Sequence, residues 1–92
     1  MTKVQNAKEI EIIEMGKFYF LNNKYDEAVA EFEKVLKINR NNAEAYYNIG
    51  LINETRNNIA VAKEMYSKAL FIEEDYKLAR ERLNKLIGLE DE

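Results

Sequence analysis

The chain has 92 residues, 47% hydrophobic and 34% charged, with a net charge of −3, a balance that suits one folded domain with a limited core and excludes a disordered chain. It contains no histidine and no cysteine, which removes the usual neutral-pH base, the thiol nucleophile and the softer metal ligands. Seven basic residues meet seven acidic ones up to Asn42, and seven meet ten beyond it; with no basic stripe, nucleic acid is not an expected partner.

Residues 1–6 are polar and expected to fray. Over 7–21, apolar residues fall at Ile12, Met15, Phe18 and Tyr19, with Ile10, Ile13 and Phe20 beside them, which is helical spacing. Asn22 and Asn23 break the pattern, and either is a candidate N-cap for a second helix over 25–38. That helix carries Ala28, Val29, Phe32, Val35 and Leu36 along one side. Asp26 and Glu27 lie in its first turn and Lys34 and Lys37 nearer its end, as the helix dipole favours. Residues 39–42 form the next break, with Asn42 as expected N-cap of a third helix over 43–56 through Tyr46, Ile49, Gly50 and Ile52. Asn57 and Asn58 lead into a fourth helix over 59–72, packing through Ala62, Met65, Tyr66, Ala69 and Leu70. A fifth, over 76–87, sets Leu78, Ala79, Leu83, Leu86 and Ile87 on one side and Lys77, Arg80, Glu81, Asn84 and Lys85 on the other, with Gly88 as its expected stop. No proline enforces any turn. Residues 73–76 form the weaker one, where Asp75 is the candidate cap.

The chain repeats itself at an offset of 34 residues, a period typical of helical hairpins. Gly16 falls on Gly50, Ala28 on Ala62, Phe32 on Tyr66, Leu36 on Leu70 and Ile38 on Ile72. A glycine inside a helix costs about 1 kcal/mol relative to alanine, so two at one offset point to close helix contact. Ala28, Ala62 and Ala69 let backbones approach while Phe32 and Tyr66 fill the gaps; these residues are scaffold.

Tyr46-x₂-Ile49-Gly50-x₂-Asn53 followed by Ala62-x₃-Tyr66, and Ile12-x₂-Met15-Gly16-x₂-Tyr19 followed by Ala28-x₃-Phe32, resemble the tetratricopeptide signature W-x₂-L-G-x₂-Y…A-x₃-F. Lys24 to Ala28 is similar to that family's usual second-helix start. Arg40 and Glu74 stand where the family usually has proline. The resemblance implies an all-α, right-handed superhelical stack of antiparallel hairpins with about five helices. It divides the single domain 1–92 into repeats at 9–42 and 43–76, a capping helix at 77–88 and an acidic tail at 89–92.

Catalysis finds no constellation here. Ser67 is the one serine and has no histidine to activate it, the carboxylate pairs sit at helix ends and in the tail, and the three glycines are isolated. An enzyme is not expected, and no cofactor or metal is implied. No apolar run approaches the ~18 residues of a membrane span and no signal-peptide pattern opens the chain, so a cytoplasmic protein without membrane contact is expected.

The resemblance implies a protein-interaction module in which the first helix of each hairpin lines a concave groove for a partner's peptide or amphipathic helix. Carried onto this chain, the groove comprises Ile10, Ile13, Lys17, Phe20 and Leu21 from the first helix, Tyr47, Asn48 and Leu51 from the third, and Arg82 and Lys85 from the fifth. Glu14, Glu44, Glu54, Thr55 and Leu78 lie beside them. Relatives that hold an acidic chaperone tail use a clamp of lysines, asparagines and an arginine. Asn48 and Arg82 match that clamp, whereas Ile13 and Leu78 replace its lysines and Lys17 an asparagine, so a carboxylate-clamp function is not expected. Lys17, Arg82 and Lys85 remain as anchors for an acidic residue flanking an apolar one, and substitutions at Tyr47 and Leu51 are expected to spare folding. A self-associating protein, as a homodimer or domain-swapped homo-oligomer, is the alternative. An excerpt or design from a longer array is a third reading.

Overall fold

The computed structural model describes residues 7–90, all five helices of the expected set among them. They are α1 (Ala7–Leu21), α2 (Tyr25–Ile38), α3 (Ala43–Thr55), α4 (Ile59–Ile72) and α5 (Lys77–Glu90). The N-terminal stretch 1–6, expected to fray, and the tail residues 91–92 lie outside the described residues. α1 packs on α2 and α3 on α4 as antiparallel hairpins; α2 joins the hairpins by packing on α3, and α5 covers α4. The stack is 43 × 34 × 17 Å, and its thin dimension is that of two helix layers about 10 Å apart.

Each hairpin closes on an asparagine in the left-handed region, Asn23 at φ 62° and Asn57 at φ 64°. In the first, the Lys24 N–H donates to the Tyr19 carbonyl at 2.9 Å and the Asn23 N–H to Phe20 at 3.0 Å. In the second, Asn58 donates to Asn53 at 2.7 Å and Asn57 to Glu54 at 3.0 Å. This is the Schellman arrangement, which satisfies the last carbonyls of a helix. Asn22 and Asn23 therefore end α1 rather than cap α2, whose first turn is preceded by Lys24 without a side-chain cap. Asn22 also donates its side-chain amide to the Phe18 carbonyl at 2.8 Å. We predict that Asn57→Gly is near neutral, because glycine adopts positive φ freely. Asn57→Val is expected to cost about 1–2 kcal/mol, read as a lower midpoint in urea.

The turns without proline hold by other means. Asn39 and Glu73, 34 residues apart, both leave the helix in extended backbone at φ −147° and −129°. The same turn bond follows in each, from Asn42 N–H to the Asn39 carbonyl at 3.2 Å and from Tyr76 N–H to Glu73 at 3.1 Å. Asn42 caps α3 as expected, accepting from the Ala45 N–H at 3.0 Å. Its amide also donates to Glu9 at 2.9 Å, and Asn39 donates to the same carboxylate oxygen at 3.1 Å. Glu9, only 3% exposed, thereby ties α1 to the turn between the hairpins.

Gly88 does not stop α5, which runs through it to Glu90. A glycine ends a helix when it turns left-handed, and no glycine has positive φ. The structure thus places Glu90 in the helix instead of the tail.

The core forms between layers. Ile13, Ala28, Phe32, Val35, Ala45, Ile49 and Ile52 make one cluster. Ala43, Ala69, Leu70 and Ala79 make a second, and Ala62, Tyr66 and Leu86 a third. The close helix contact implied by the two glycines is present, and each glycine meets the aromatic of its own hairpin. A Cβ on Gly16 would stand 2.7 Å from Phe32 Cζ, and one on Gly50 would stand 2.6 Å from Tyr66 Cε1. Helix α1 departs from expectation: Glu9, Ile13 and Gly16 are its buried residues, while Met15 and Phe18 are exposed. Their counterparts Ile49 and Ile52 are buried in the cluster that includes α2, and no described helix occupies that place beside α1. On α5, Leu78 and Ile87 are likewise exposed rather than packed.

Candidate partner-binding face

Helices α1, α3 and α5 present one surface, held together by ion pairs that cross from helix to helix. Lys17 on α1 reaches Glu44 on α3 at 2.8 Å and its neighbour Glu14 at 3.7 Å. Ten residues along α3, Glu54 receives Arg82 of α5, through Nε at 3.1 Å and through Nη2 to its second oxygen. The Tyr66 hydroxyl donates to Glu54 at 2.7 Å from below. Tyr47 lies between these pairs, its ring 5.8 Å from Tyr66 and 5.2 Å from Tyr76.

The electrostatics follow from this pairing. The hydrogen bond to Glu44 holds the Lys17 ammonium above its ordinary pKa. Burial works against charge on Glu54, but hydrogen bonds from Arg82 and Tyr66 outweigh it and keep the carboxyl below the usual range. Burial pushes the phenols of Tyr47, Tyr66 and Tyr76 upward. Two of the three cations expected to receive an acidic ligand, Lys17 and Arg82, are thus already matched by glutamates of α3. Lys85 is exposed and close enough to Glu54 to stabilise its charge.

The expected groove residues separate into three sets. Ile10 and Leu21 are exposed on α1, at 47% and 82%, and lie within two turns of Lys17 on the same side, since residues four and seven apart share a helix face. Leu78, 53% exposed, lies one turn before Arg82. Phe20, Tyr47 and Leu51 are half-buried. Phe20 packs at a tilt on Tyr25 with ring centres 5.8 Å apart; Tyr47 packs against the second and third core clusters and Leu51 against the third. These two support the fold as well as line the face, so Tyr47→Ala costs stability rather than sparing it. Ile13 and Asn48 do not belong to an open groove. Ile13 is 2% exposed and sits in the first core cluster. Asn48 is 5% exposed and donates its amide to the Glu44 carbonyl of its own helix at 2.8 Å.

Two features escaped the sequence. One is Glu9, whose signal was its place one and two turns before Ile13 and Gly16, on the arc of α1 that packs inward. The other is a cleft of about 600 Å³ between α2, α3 and α4, floored by Val29, Leu36, Ile49 and Met65 and closed at one end by the 2.9 Å Asp26–Arg56 pair. Among the described residues no side-chain cluster is placed to hold a metal ion, and no helix is long and apolar enough to cross a membrane.

A two-layer stack of helical hairpins with a 34-residue period and a glycine–aromatic contact in each hairpin defines a helical-repeat protein. Models of the TPR repeat and the tetratricopeptide repeat match residues 16–55 and 43–76. The chain belongs to the tetratricopeptide repeat family. It is 38% identical over 65 residues to the uncharacterized protein ycf37 of Guillardia theta, covering 71% of this chain and 36% of that one. Among solved structures it resembles MamA, with a TM-score of 0.84 and 19% identity over 90% of this chain and 48% of MamA. It also resembles the first TPR of Spaghetti (RPAP3) bound to the HSP90 peptide SRMEEVD, with a TM-score of 0.58 and 20% identity over 97% of this chain and 98% of that one. The chain thus spans about a third of the curated relative and half of MamA.

Proposed function

We propose that the chain is a protein-interaction module whose α1–α3–α5 face receives an amphipathic helix or extended apolar segment of a partner protein. The observation that carries this reading is a set of apolar side chains, Ile10 and Leu78 exposed and Tyr47 and Leu51 half-buried, on a face whose main charges are paired within the protein. Membership of the repeat family and the peptide-bound neighbour support a binding role rather than a catalytic one. An acidic peptide end is a poor ligand for this face. A carboxylate needs several converging donors, and here Lys17 and Arg82 already serve Glu44 and Glu54. The partner segment is therefore mainly apolar, with Lys85 and the outer edge of Lys17 meeting its polar flank.

Ile10→Asp and Leu78→Asp test this reading because both residues are exposed and their loss leaves the core intact. Each variant is expected to keep the helical circular dichroism of the parent and to lose at least tenfold in affinity for a captured partner, about 1.4 kcal/mol. Retained binding by both, with loss in Val61→Asp or Phe71→Asp instead, would move the site to the α2–α4 side and refute the assignment.

A further inference from the structure

The two ends of the stack are chemically unlike. On α1, Met15, Phe18 and Leu21 stand 45%, 58% and 82% exposed, although the residues 34 positions after the first two, Ile49 and Ile52, are buried in the cluster with α2. On α5, by contrast, the exposed Leu78 and Ile87 stand nine residues apart among exposed Arg80, Glu81, Asn84 and Lys85, so the apolar surface at this end is broken by charge. Nor does α1 suit a hairpin docked as α2 docks on α3. Its Glu11 stands where Ala45 and Ala79 are fully buried, and a carboxylate in that position would lose its water without gaining a partner. Whatever covers Met15 and Phe18 must reach them while leaving Glu11 at the edge.

We propose that this face of α1 pairs with the same face of a second copy, antiparallel and crossing near Phe18, to give a two-fold dimer. Such a pairing is self-complementary and closes on itself, as an isologous contact does. It covers Met15, Phe18 and Leu21 of both copies. Glu11 precedes Phe18 by seven residues, about 10 Å of helix rise. It therefore lies past the crossing, level with the turn that follows α1 of the other copy, where Lys24 is exposed. The opposite charges of Glu11 and Lys24, meeting twice across the axis, favour a second copy over an unrelated helix. Three apolar side chains per copy are few beside the roughly 20–30 residues a side of a standard interface, so the dimer is one that dissociates on dilution. The pairing leaves α3 and α5 of the partner-binding face uncovered.

Light scattering of the full chain from micromolar to millimolar concentration tests the pairing. The mass is expected to rise from one chain to two, and Phe18→Asp is expected to hold it at one chain throughout with unchanged circular dichroism. Glu11→Lys and Lys24→Glu should each weaken the dimer about tenfold through two like-charge contacts; the double reversal should restore it. These exposed positions decide the matter even if Phe18→Asp disturbs the fold. A one-chain mass at every concentration, a dimer that survives Phe18→Asp, or a double reversal no tighter than the singles would overturn the proposal.

Discussion

Gly50→Ala is expected to destabilise the protein by about 2 kcal/mol, within the range for overpacking a core and against the gain of about 1 kcal/mol that alanine brings to a helix. The new methyl would stand 2.6 Å from Tyr66 Cε1. Tyr66 is fully buried, and its hydroxyl is held by Glu54 at 2.7 Å, so the ring has little room to retreat. For a chain of this size the loss corresponds to a fall in Tm on the order of 10 °C. Gly16→Ala is expected to do less, because the opposing Phe32 has no polar anchor at the ring tip that the methyl meets. Trimming the aromatic ring, as Gly50→Ala with Tyr66→Leu, should cost less than the sum of the two single changes, a coupling expected of residues in contact. A Gly50→Ala protein as stable as the parent would show that the hairpins are not held by this contact.

Glu54→Ala should have the second large effect, about 2 kcal/mol. It removes the shared acceptor of Arg82 and the buried Tyr66 hydroxyl, and an unsatisfied buried donor costs about 1–3 kcal/mol. Tyr66→Phe, which leaves the Glu54–Arg82 pair in place, should cost nearer 1 kcal/mol. The pH dependence separates the two groups. The Glu54 carboxyl has a lowered pKa in the fold, so its contribution is present above the usual carboxylate range near about 4.3 and disappears as pH falls through the folded value. The Tyr66 phenol has a raised one, so its contribution is present at neutral pH and declines as pH climbs past about 10, where the unfolded chain ionises first. Denaturant midpoints measured across pH should lose part of their acid limb in Glu54→Gln and part of their alkaline limb in Tyr66→Phe. Identical profiles in parent and variants would remove this triad from the stability of the fold.

The hairpins were legible because their signals are local. Four helices begin and end within one residue of the expected positions, since apolar periodicity and asparagine-rich breaks act over a few residues of chain. The 34-residue offset set Gly16 on Gly50 and Phe32 on Tyr66 and implied close helix contact at the glycines; that each glycine meets the aromatic of its own hairpin is seen only in the fold. Local signals misled where their meaning depends on backbone sign. Asn23, offered as an N-cap, is a left-handed closure as Asn57 is in the second hairpin, and Gly88, without positive φ, lets α5 continue.

The candidate face was legible as a set of helices and not as a set of side chains. Helical spacing leaves a residue at the boundary of the buried arc free to fall on either side, and only neighbouring helices decide. So Ile13 and Asn48 are buried, Met15 and Phe18 are exposed, and Tyr47 bridges two core clusters. By itself the sequence determined the repeat, the helices and the close approach of helices at the two glycines, all of which depend on residues close in the chain or related by the repeat. Tertiary structure decided which charges are spent. Glu44 and Glu54 stand on α3 between cations of α1 and α5, and Glu9 meets Asn39 and Asn42 across 30 and 33 residues. No periodicity encodes such pairings, because each depends on the distance between helices that meet only when the stack has formed.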